Sequence, residues 1–170
     1  AFSGKVLRLN VDGTTPADQA GGTPVYAADV NRPNSLDWSL DGTTLWVGER
    51  DADGADRLNA VVAPPGVVDA EARRGIVGAR YTLPPGTGAG GAAFYWGPAI
   101  PAFQGDLLVA AATARAILRV RFAHPGSHAI ASTEWLLRDA VGPIRAIAVA
   151  PDGGVYFCTA DALLLITPGG

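Results

Sequence analysis

The sequence predicts an all-β chain built from β-propeller blades. Short apolar or alternating runs dominate, helical periodicity is nearly absent, and strand–turn–strand units recur along the chain. At 170 residues, with 17% charged and 48% hydrophobic residues, the chain is globular and long enough to bury a substantial core. A net charge of -3 leaves no basic stripe, which argues against nucleic acid and anionic membrane surfaces as partners. No apolar run approaches the roughly 18–20 residues that span a bilayer.

Taken in order, strands are expected at 5–10, 24–29, 35–39, 44–49, 56–62 and 79–83. Seven more follow at 92–96, 106–112, 116–122, 134–138, 144–150, 154–159 and 163–167. Asp12-Gly13, Asp41-Gly42 and Asp152-Gly153 are hairpin signals, because glycine supplies the positive φ that such turns require. The one helix candidate is "VVDAEARRG", residues 67–75. The glycine-rich "PPGTGAGGAA", residues 84–93, lacks the Lys-Ser/Thr ending and following helix of a phosphate loop, and reads as an inter-blade linker. His124 and His128 sit in the turn "HPGSH" and read as a surface loop. Trp38, Trp46, Phe94, Tyr95, Trp96 and Trp135 are expected mostly in the core and between blades. Cys158, the lone cysteine, packs as a small hydrophobe and forms no internal disulfide. The chain has no Met, even at position 1, so upstream sequence is expected.

Three segments repeat the pattern of strand, turn and more apolar strand: "SLDWSLDGTTLWVGER", "AAFYWGPAIPAFQGDLLVAAAT" and "IRAIAVAPDGGVYFCTAD". A strand quartet recurring every 40–60 residues or so is the mark of a propeller blade. One partial propeller domain results, with residues 1–34 ending a preceding blade and blades at 35–90, 91–141 and 142–170. Three blades cannot close a ring, so the open edges call for a partner chain or a longer protein.

Charge concentrates in "GERDADGADRLN", residues 48–59. Glu49-x-Asp51-x-Asp53-Gly54 has the alternating-acid spacing of a calcium loop, in which side chains converge around a sharp glycine turn. Ala60 stands where such a loop carries its closing Glu, and Arg50 and Arg57 offset part of the charge. Three readings stay open: a metal site on Glu49, Asp51 and Asp53, a solvated turn at a pocket mouth, or a direct ligand contact.

The segments "GKVLRLNVDGTTPAD", "PVYAADVNRPNSLDW", "LWVGERDADGADRLN", "GDLLVAAATARAILRVRF" and "IRAIAVAPDGGVYFCTAD" resemble, in order, the glucose/sorbosone dehydrogenase family. These are soluble aldose dehydrogenases that use pyrroloquinoline quinone (PQQ). The resemblance spans nearly the whole chain and corresponds to the C-terminal half of the family's six-bladed propeller. It implies oxidation of an aldose sugar at the anomeric carbon by PQQ, a calcium ion that holds the cofactor, and a secreted or periplasmic location. It places Asp56 and Arg145 at the cofactor. Arg32 and Arg115 lie one and two positions from where the family carries its cations, and Asn31, Thr113 and Pro143 occupy those positions themselves. The family's general-base histidine belongs to the other half, so no catalytic residue is assigned here. Each charged contact missing from a buried anion site costs about 2–5 kcal/mol. The expectation is therefore a degenerate cofactor site, with a non-catalytic binding propeller as the alternative. Two copies could close a six-bladed ring, or a missing N-terminal half could do so.

Overall fold

A computed structural model describes residues 2–62 and 76–168; the helix expected at 67–75 lies outside the described residues. Thirteen strands form four antiparallel sheets among the described residues. β1 (Val6–Leu7) pairs with β2 (Val25–Ala27). β3 (Pro33–Trp38), β4 (Thr44–Arg50), β5 (Asp56–Val62) and β6 (Ile76–Thr82) form a four-stranded meander. A second meander contains β7 (Ala89–Phe94), β8 (Leu107–Ala111), β9 (Ala116–Phe122) and β10 (Ile130–Leu136). β11 (Ala146–Val149), β12 (Val155–Cys158) and β13 (Leu163–Ile166) make the last sheet, which has three strands among the described residues where four were expected. No described helix is long and apolar enough to cross a membrane.

The sheets stack face to face as propeller blades, and the alternation of side chains across each strand builds the interfaces. In the middle blade, Leu107, Val109, Leu118 and Val120 face the first blade and meet Trp46, Leu58 and Ala60. Their neighbours Leu108, Ala110 and Ile117 point the other way, onto Ile147, Val155 and Phe157 of the last blade. A sheet covered on both faces needs apolar residues at every position, which is why "LLVAA" of β8 is buried throughout. On the far side of the first blade, Leu45, Val47 and Val61 pack under Val6 and Ala27 of the two-stranded sheet and under Val30, which follows it.

First strands lie next to first strands: β7 runs beside β3 and β11. The residues 84–93 expected as a linker are only partly one, because from Ala89 onward they form β7. The small residues there let the last blade approach. A Cβ on Gly90 would collide with the Arg145 carbonyl, which accepts a hydrogen bond from the Gly91 N–H at 3.2 Å.

Both outer faces of the stack carry exposed apolar residues. On β3, Leu36 (57% exposed) and Trp38 (43%) share a face with the covered Val47 and Leu45, and the two-stranded sheet reaches Trp38 through the Tyr26 ring, edge-on at 6.1 Å. On the last blade, Tyr156 and Leu165 pair across the strands with Ala148, and Leu163 (73% exposed) lies on the same outward face. Trp96, expected in the core, is also exposed, whereas Trp46 and Tyr95 are buried as expected.

Candidate functional site

At one end of the strands lie the connections at 28–32, 51–55, 83–88, 112–115, 137–145 and 159–162. Every site residue singled out in the sequence falls at this end: Arg32 before β3, Glu49 near the end of β4, and Asp51, Asp53 and Asp56 around the β4–β5 turn. Arg115 lies in the β8–β9 turn and Arg145 just ahead of β11.

The β4–β5 turn neutralises itself. Arg57 forms ion pairs with both Asp51 and Asp53, the second at 2.7 Å. Asp51 Oδ1 also accepts from the Asn31 side-chain amide at 2.9 Å. Glu49 is fully buried, and its Oε2 accepts from the Asn31 N–H at 2.7 Å. Its Oε1 has no partner among the described residues, and neither do Arg57 Nε and both amide atoms of Asn59. Glu49 and Arg57 sit opposite one another across β4 and β5. Among the described residues no three His, Cys, Asp or Glu side chains converge as a metal site. The donor set of Glu49, Asp51 and Asp53 therefore does not fit calcium through its carboxylates, because two of the three are bound to one guanidinium.

Asp56 is engaged inside the protein. Its buried carboxylate accepts from Arg50 Nε at 3.2 Å and from the Ala89 N–H at 3.0 Å, so it ties the first blade to β7. Asn34 adds a bond from its side-chain amide to the Ala89 carbonyl at 3.0 Å. Neither contact to Ala89 was readable in the sequence, since each joins positions more than 30 residues apart.

The arginines are in a different situation. Arg32 and Arg145 are exposed and have no side-chain partner among the described residues, and Arg115 has only loose ones: Asp139 at 3.7 Å and the Val141 carbonyl at 3.5 Å. Three blades thus each present a guanidinium with free donors at the same end. A guanidinium fork suits carboxylates.

This end also holds strained backbone, which the sequence did not signal. Asp29, Arg32, Arg115, Leu137 and Asp139 have φ between 38° and 61°, and they are the non-glycine residues with positive φ among those described. Such conformations cost about 1–3 kcal/mol each and gather at functional sites. Two of the five are the candidate cations Arg32 and Arg115. Arg115→Gly is expected to leave the fold intact or stabilise it by up to about 1 kcal/mol, because glycine adopts this conformation without strain. Urea unfolding checks this; a loss above about 1 kcal/mol would mean that the Asp139 and Val141 contacts outweigh the strain.

His124 is exposed, as expected of a surface turn. His128 is half-buried: its Nε2 lies 2.8 Å from Thr44 Oγ1, its carbonyl accepts from the Tyr81 hydroxyl, and its ring meets Trp46 edge-on. It fastens the middle blade to the first and is far from the arginine-bearing end.

The sequence profile of the family described as Glucose / Sorbosone dehydrogenase matches residues 1–165. No curated protein matches the chain. A solved structure described as a glucose dehydrogenase shares 27% identity with a TM-score of 0.74, over 98% of this chain and 51% of the other. A putative oxidoreductase (glucose dehydrogenase) from Thermus thermophilus shares 28% identity with a TM-score of 0.69, over 95% of this chain and 50% of the other. A PQQ-bound aldose sugar dehydrogenase from Streptomyces coelicolor, at 20% identity and a TM-score of 0.67 over 95% and 47%, shows likeness of fold alone. The chain spans about half the length of the structures it matches.

Proposed function

Because the chain belongs to the glucose/sorbosone dehydrogenase family, we propose that it is the C-terminal half of a PQQ-dependent aldose dehydrogenase with a thinned cofactor site. The observation that carries this reading is the placement of Arg32, Arg115 and Arg145, on three successive blades, at one end of the stack. PQQ bears three carboxylates, and these guanidiniums would hold them through charge-assisted hydrogen bonds. When bound, the quinone supplies the two-electron acceptor for oxidation of the sugar. This chain's own part is to position that anion and, through Asp56 and Asn34, to hold β7 in place beneath it. Asn31, Thr113 and Pro143 carry no charge where the family places cations, so binding is weak. An aldose substrate and a secreted or periplasmic location belong to the same proposal.

Reconstitution tests it. PQQ and calcium are added to the purified chain with an aldose and a dye acceptor. No dye reduction is expected from this chain alone, because the general base belongs to the other half. Calorimetry should show PQQ binding weaker than micromolar that Arg145→Ala abolishes. Dye reduction by these 170 residues alone overturns the half-enzyme reading. If PQQ gives no heat at millimolar concentration, the non-catalytic propeller takes its place.

The exposed apolar residues Leu36, Trp38, Leu163 and Leu165 bear on assembly. In the middle blade the equivalent surfaces are covered on both sides, and exposed apolar sheet faces bind partners or aggregate. We expect either pairing of two copies into a ring or completion by a separate half. Sedimentation of the chain should show concentration-dependent self-association, and a stable monomer throughout the micromolar range would count against both.

A further inference from the structure

We propose that the cleft between the first and middle blades, at the end of the strands opposite the arginine-bearing loops, is a second binding site that takes a small amphipathic carboxylate. The cleft has a volume of about 670 Å³ and is bounded by the β3–β4 turn, the end of β9 and the loop that follows it. That volume falls within the roughly 300–1,000 Å³ of small-molecule pockets. Its inner wall is aromatic: partly exposed Phe122 lines it, backed by the buried Trp46 and Phe94 at 4.9 and 5.8 Å between ring centres. Leu40, half-exposed, extends the apolar wall towards the mouth. Both walls of the cleft belong to described strands and turns of this chain.

Arg121 supplies the charge. It follows Val120 on β9, and its side chain is half-exposed at the cleft. Its one ion-pair contact among the described residues is Asp106, at 3.8 Å from Nε. That carboxylate is already taken by Arg119 at 2.6 Å, so the Arg121 fork keeps its donors for a ligand. The remaining acidic group at the cleft is Asp41, whose carboxyl is held below the usual carboxylate range by the Ser39 hydroxyl and the Thr43 N–H. Asp41 lies against Gly126, on the loop that follows β9. An anion is therefore repelled from the Asp41 wall and drawn to Arg121, which orients its apolar body onto the aromatic wall. A neutral sugar would gain nothing from this polarity, so the site differs in chemistry as well as place from the proposed cofactor end.

The test uses 4-phenylbutyrate and its neutral amide, titrated into the purified chain and followed by amide chemical shifts. Saturable shifts confined to residues 39–46, 94 and 121–127 are expected for the acid. Arg121→Gln should weaken the acid about tenfold, the size of one charge-assisted hydrogen bond, and leave the amide unchanged. Ala123→Trp, at an exposed position lining the cleft, should block both. The proposal is overturned if no shifts appear at millimolar acid, if Arg121→Gln binds the acid as well as the parent does, or if the shifts centre on the exposed Leu36 and Leu163.

Discussion

Arg119→Leu is expected to lower the free energy of unfolding by about 3–5 kcal/mol, the cost of breaking a buried ion pair from one side. Arg119 is buried on β9, where neighbouring positions are aliphatic. Its Nε donates to Asp106 Oδ2 at 2.6 Å, one terminal nitrogen to Glu134 at 3.1 Å and the other to the Ala102 carbonyl. The guanidinium also lies over the Phe103 ring, 4.3 Å from its centre. Without it, the buried Asp106 carboxylate keeps, among the described residues, the long contact from Arg121. Replacing both Arg119 and Asp106 with leucine should recover part of the loss, because an apolar pair carries no desolvation penalty. Urea denaturation of the single and double variants decides this. A single-variant loss under about 1 kcal/mol would show that water reaches Asp106 freely.

Gly153→Ala should cost about 2–5 kcal/mol, combining left-handed strain of about 1–2 with overpacking of about 1–3. Gly153 has φ +89°, and a Cβ there would lie 2.7 Å from Ala99 N and 2.8 Å from the Tyr95 hydroxyl. That hydroxyl donates to the Gly153 carbonyl at 3.0 Å and accepts from the Ile100 N–H at 2.7 Å, joining the middle and last blades. Thermal unfolding measures the effect. A midpoint within a degree or two of the parent would mean that the Ala99 segment moves aside easily. The Asp152-Gly153 pair was readable as a turn, but its second role as a packing surface for another blade was not.

Legibility followed burial. The strands β5 and β9 lie where the apolar pattern places them, because hydrophobic runs bounded by turns coincide with strands buried on both faces. β10 begins at Ile130, four residues before its expected start at 134, since "IAST" lies on an exposed outer strand and alternates nothing. β1 shrinks from the expected 5–10 to Val6–Leu7, its partner β2 being only three residues long. β7 was hidden in a glycine-rich stretch whose composition reflects the approach of another strand and not flexibility. At the site, which residues share one end was readable, because it depends on strand order alone. Which of them are spent internally was not. Asp56 is consumed by Arg50 and Ala89, and Asp51 and Asp53 by Arg57, and only three-dimensional proximity reveals such pairings.

Each sheet here is a run of consecutive strands, and among the described residues its buried core is shared with the sheets before and after it. Such contacts cross tens of residues, as between Thr44 and His128, yet they join only neighbouring units of the row. Cooperativity is then that of a row and not of a sphere, a sum of unit and nearest-neighbour terms. The two end sheets, each held by one neighbour, are expected to open more often than the first and middle blades, each held by two.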